Sequence, residues 1–164
     1  MQISVFESPQ LQGVILALAG MDRELAAQLR KATKTVTAGE WSRALAAEAS
    51  TEQERRVIVN TARVAVSNTN IRLRAGQLSK NLSGGAKLYE LTPGVEFGGI
   101  QRPIHSTSSK GKAYTRRRGQ GFRRRNKTGY VAYPAAAKII PRIAALWVAT
   151  TVRTLHEAIE KGTG

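Results

Sequence analysis

Apolar positions near the start of the chain recur at helical spacing. Val14, Leu18, Met21, Leu25 and Leu29 lie three or four residues apart, with Asp22, Arg23, Gln28 and Arg30 among the polar residues between them. This predicts an amphipathic helix over about residues 10–32, ending before the β-branched run Thr35-Val36-Thr37, with Gly39 as a break. Trp41, Leu45 and Ala49 predict a second, shorter helix. From Arg56 to Arg74 the period changes to two. Val57 and Val59, Val64 and Val66, and Ile71 and Leu73 alternate with polar residues, the pattern of half-buried strands. Asn68-Thr69-Asn70 reads as the turn of a hairpin. A loop is expected around Ser83-Gly84-Gly85. A short strand is expected at Val95-Glu96-Phe97, closed by Gly98-Gly99, and another at Gly129–Tyr133. Ile139 or Ile140, Ile143, Trp147, Thr150 and Thr154 trace a long C-terminal helix. Pro134 suits its start, and Pro141 sets where its regular part begins.

Strands grouped in the middle and flanked by helices predict an α+β fold: a central, mostly antiparallel sheet packed by long N-terminal and C-terminal amphipathic helices. Val14, Leu18, Leu25, Leu29, Ile143 and Trp147 are the expected core of a single domain over residues 1–164. Residues 100–128 show no apolar period and read as a long basic loop or hairpin arm inserted in that domain.

Charge sharpens this division. The chain nets +15. Residues 1–99 carry 12 basic and 9 acidic side chains, whereas residues 100–128 carry ten basic and no acidic ones. The ten are Arg102, Lys110, Lys112, Arg116, Arg117, Arg118, Arg123, Arg124, Arg125 and Lys127. A segment so charged repels itself unless a polyanion or an acidic surface neutralises it. These ten residues are the candidate polyanion or partner contacts, with Tyr114 and Phe122 interleaved as stacking partners. No recognition-helix or zinc pattern points to sequence readout.

The remaining composition narrows the chemistry. The chain has no cysteine, so disulfides and thiolate metal sites are excluded and a reducing compartment is expected. No uninterrupted apolar run reaches the ~18 residues of a membrane span, and no basic leader precedes an apolar stretch, so neither membrane association nor a secretory signal is expected. His105 and His156 lack metal-ligand company, Glu90 and Glu96 lack a partner base, and Ser83-Gly84-Gly85-Ala86-Lys87 departs from the phosphate-loop pattern. No catalytic residue, metal or cofactor is expected.

One ordered set of short motifs resembles a known family. Val95-Glu96-Phe97-Gly98-Gly99, a basic variable segment, Gly129-Tyr130-Val131-Ala132-Tyr133-Pro134-Ala135-Ala136-Ala137, then Ile140-Pro141-Arg142-Ile143-Ala144 and Trp147-Val148 occur in sequence. This order is similar to the head–tail joining and tail-completion proteins of the neck of long-tailed bacteriophages, in their actinobacteriophage-like form. Many relatives have a shorter, less basic segment where residues 100–128 stand. The resemblance implies a structural virion protein at the neck or tail, assembled in the host cytoplasm. It would join head to tail, or terminate the tail tube, as a homo-oligomeric ring of six subunits around the DNA channel. Its implied partners are other neck and tail proteins (a stopper or adaptor, the tail tube) and the DNA passing through. The alternative class is a non-specific nucleic-acid-binding basic protein.

Overall fold

The computed structural model describes residues 1–4, 19–20, 23–81, 85–100, 102–118 and 121–162. The chain forms an α+β fold. Helix α1 (Arg23–Glu48) buries Ala26, Leu29, Thr33, Thr37, Trp41 and Leu45, every third or fourth residue along one face. The predicted break at Gly39 is absent. Gly39 lies on the exposed side, and Trp41 and Leu45 continue the buried stripe begun by Leu29. The described part of the first expected helix, from Arg23, and the second expected helix are therefore one. Val14, Leu18 and Met21 lie outside the described residues, and Leu25 is half-buried beside the stripe rather than in it.

Helix α2 (Glu52–Val57) follows, then a 3-10 turn (Val59–Thr61). Both replace the strand read from Val57 and Val59. Thr51 caps α2 by accepting from the Glu54 amide at 3.2 Å while the Glu54 carboxylate takes the Thr51 amide at 2.9 Å, a reciprocal cap that starts a helix. The hairpin prediction holds: β2 (Arg63–Val66) and β3 (Ile71–Arg74) pair antiparallel with Val66 opposite Ile71. Ser67 closes the turn, its amide donating to the Asn70 carbonyl at 2.9 Å. Strand β1 (Gln2–Ser4) adds to the other side of β3, giving the antiparallel order β1-β3-β2.

Helix α3 (Leu88–Phe97) occupies the region read as a strand at Val95-Glu96-Phe97. Leu88, Thr92, Val95 and Glu96 are its buried positions, a helical spacing. Its start is fixed by the Lys87 amide donating to the Glu90 carboxylate at 3.1 Å. After a ribbon formed by β4 (Arg102–Thr107) and β5 (Ala113–Arg118), helix α4 runs from Ala132 to Gly162. The strand expected at Gly129–Tyr133 is instead the turn into α4. Pro141 does not delay the helix; it lies within α4 at an exposed position.

Helices α1 and α4 run antiparallel, with ion pairs Glu48–Lys138 at 2.5 Å and Glu40–Arg142 at 3.4 Å along the seam. These cations are exposed and contribute little. The cohesion is apolar: Leu29, Trp41 and Leu45 from α1, Ile143 and Trp147 from α4, and Ile71 and Leu73 from the sheet form one core. The Trp41 indole N–H also donates to the Arg74 carbonyl at 3.2 Å, tying α1 to β3. By length and composition α4 could cross a membrane, with mean hydropathy 1.3 over Ala132–Glu157. Ala135, Ala136, Ile139, Ile143, Ala144 and Trp147 of this span are packed into the core, and its outer side carries exposed Lys138, Arg142 and Arg153.

Candidate polyanion interface

The basic segment is built in two parts: the β4–β5 ribbon, and the loop from Gly121 to Val131 that returns the chain to the body. The ribbon is in regular antiparallel register from Arg102 opposite Arg118 to Thr107 opposite Ala113. Its tip is a tight turn in which the Ser108 amide donates to the Lys112 carbonyl at 2.9 Å, with Gly111 at φ 75° supplying the left-handed residue. The two strands pack on each other and have little contact with any other element. Arg102, Pro103, His105, Thr107, Tyr114 and Thr115 are exposed, as are Lys110 and Lys112 at the tip. His105 Nδ1 lies 3.0 Å from the Thr115 hydroxyl across the ribbon.

The return loop is fastened to the C-terminal end of α3. Gly99 N–H donates to the Arg123 carbonyl at 2.9 Å, Asn126 N–H to the Phe97 carbonyl at 2.8 Å, and Tyr130 N–H to the Glu96 carbonyl at 2.9 Å. Gly98, at φ 72°, lets the chains meet: a Cβ there would sit 2.1 Å from the Arg124 carbonyl oxygen. Phe122 packs against Gly94 and joins the core margin. Of the two aromatics expected to be free for stacking, only Tyr114 is exposed.

Two buried carboxylates fix this junction. Glu96 is fully buried, and its carboxylate accepts the amides of Val131 at 3.3 Å, Ala132 at 2.9 Å and Tyr133 at 3.0 Å. These are donors of the first turn of α4, which have no partner within the helix, and a negative charge there also meets the positive end of the helix dipole. Glu54, also buried, accepts from Ser50 and Thr51 amides and from the Arg123 guanidinium at 3.1 Å. Burial alone would raise its pKa. The amides of Ser50 and Thr51, Arg123 and the Ser50 hydroxyl more than offset that and hold the carboxyl below its ordinary value. Arg123 also lies 3.9 Å above the centre of the Tyr130 ring.

The ten predicted contact residues therefore divide. Arg123 is engaged with the body through Glu54, Ser50 and Tyr130. Arg124, Arg125 and Lys127 are exposed beside the ribbon's base, Arg102 is exposed at the start of β4, Lys110 and Lys112 at the tip, and Arg116, Arg117 and Arg118 occupy consecutive positions of β5. Glu90 and Glu96 each cap a helix. His156 faces Glu160 one turn on, at 3.3 Å on the exposed side of α4. Among the described residues no group of three or more His, Asp or Glu is placed to hold a metal ion. Comparison with family models, curated proteins and solved structures finds no match.

Proposed function

We propose that this chain is a structural protein of the bacteriophage neck, not an enzyme. In this reading it joins head to tail or terminates the tail tube, assembling as a homo-oligomeric ring around the DNA channel. The observation that carries it is the split between a closed α+β body and a basic arm that the body leaves outside its core. Ten cations without an acid are a liability to an isolated domain and an asset where an anionic partner is always present. The ordered motifs from Val95 to Val148 support the same assignment, although Val95–Gly98 ends a helix rather than forming a strand. Both buried carboxylates are used as caps or clamps, which leaves neither free as an acid or base.

The confinement of the charge to one arm favours this reading over a free nucleic-acid-binding module. Size exclusion and mass measurement of the nucleic-acid-free protein at about 0.5 M salt test it. The neck reading expects a defined ring, six copies of a 17.8 kDa chain by the family resemblance. A monomer that changes size only when DNA is added would favour the non-specific nucleic-acid-binding module.

A further inference from the structure

We infer that the β4–β5 ribbon, with Arg124, Arg125 and Lys127 at its base, is an arm that binds duplex DNA through its phosphates without reading sequence. The inference stands on the ribbon itself and holds whether or not the chain forms a ring. Each strand has six residues, so the ribbon extends about 20 Å at the ordinary rise per residue. A two-stranded ribbon is an element that the major groove of B-DNA, about 12 Å wide, can admit. An isolated two-stranded ribbon is only marginally stable in water, and a bound partner would add to its stability.

An acidic protein surface fits less well. Such a surface covers one patch of a ribbon, not its whole length. Cations stand at both ends, Lys110 and Lys112 at the tip and Arg124 and Arg125 at the base, so the charge follows the ribbon's length. A groove flanked by phosphates on both sides matches that distribution. The described residues of the arm form strands and a turn and present no recognition helix, so sequence should matter little.

The test measures affinity of the full chain for two unrelated 20-base-pair duplexes and one single strand by fluorescence anisotropy between about 0.05 and 0.4 M salt. Two variants of equal charge are compared. The arm variant replaces Lys110, Lys112, Arg124, Arg125 and Lys127 by Gln. The body variant replaces the exposed Arg23, Lys31, Lys34, Arg55 and Arg72 by Gln. Thermal melting checks that both fold, and Lys110→Gln with Lys112→Gln serves as a milder arm variant at the exposed tip. The wild type should bind both duplexes equally, and more tightly than the single strand. The arm variant should bind about 10,000-fold more weakly at 0.1 M salt, with the log–log salt slope flatter by about 4.5; the tip variant's slope should be flatter by about 1.8. The body variant should stay within about threefold of wild type. Equal losses in the arm and body variants would mean that total charge, not the arm, binds DNA, and would overturn the inference. So would single strand binding as well as duplex, or poly-glutamate displacing the protein as effectively as unlabelled duplex, the result expected of an arm made for an acidic protein.

Discussion

Replacing Glu96 tests whether a buried charge, rather than packing alone, holds the start of α4 and the base of the arm. The carboxylate accepts three amides of the first helical turn at 2.9–3.3 Å, and the side chain has no exposure to solvent. Glu96→Gln keeps the shape. One amide oxygen can still accept, but the NH2 group points donors at donors and the charge–dipole attraction is lost. Hydrogen bonds to charged groups are worth about 1.5–3 kcal/mol and a charge at a helix end up to about 2 kcal/mol, and relief of carboxylate desolvation returns part of this. The net expectation is a loss of about 2 kcal/mol, or about 4–8 °C in Tm for a chain of this size. Glu96→Ala leaves all three amides without an acceptor in a dry site and should lose about 3–5 kcal/mol. Urea unfolding at pH 7, followed by circular dichroism, measures both. A Gln variant within about 0.5 kcal/mol of wild type would show that the charge does not hold the helix end.

Other substitutions probe the packing and the clamp. Gly76 has φ 69°, and a Cβ there would lie 2.4 Å from Thr92, so Gly76→Ala should lose more than about 2 kcal/mol by urea unfolding. Trp147→Ala should lose about 3–5 kcal/mol, whereas half-buried Leu25→Ala should lose less than about 2 kcal/mol; equal losses would misplace the core face. The depressed pKa of Glu54 contributes stability that is fully present above the unfolded carboxylate range and is lost as pH falls through the folded value. Arg123→Gln, which removes one cause of the depression, should be less stable at pH 7 and lose less between about pH 5 and pH 3; a loss parallel to wild type would refute the clamp.

The sequence made the α4 face legible because Ile139, Ile143, Trp147 and Thr150 keep an unbroken helical period. The β2–β3 hairpin was legible because its alternation spans a clear turn. Helix α1 was obscured by its own core: Thr33 and Thr37 occupy buried positions where an apolar residue is expected, so the stripe from Leu29 to Trp41 was hidden. Val57 and Val59 lie two apart by coincidence of a helix end and a 3-10 turn, and the Thr51-x-x-Glu54 cap was the available counter-signal. A hairpin was one of the two forms expected for residues 100–128; it spans 102–118, whereas residues 122–126 are fastened to the body. Its attachment was not visible, because Glu96 and Ala132 lie 36 residues apart and Arg123 and Glu54 lie 69 apart. Nothing local in the sequence pairs them.

Locating the chain in assembled tailed particles by electron microscopy, with the copy number counted in the same reconstruction, bears most directly on the neck assignment. A ring of identical subunits at the junction of head and tail, with each 102–118 ribbon directed at the DNA in the channel, is the expected result. Particles that assemble without the chain, or a single isolated copy away from that junction, would contradict it.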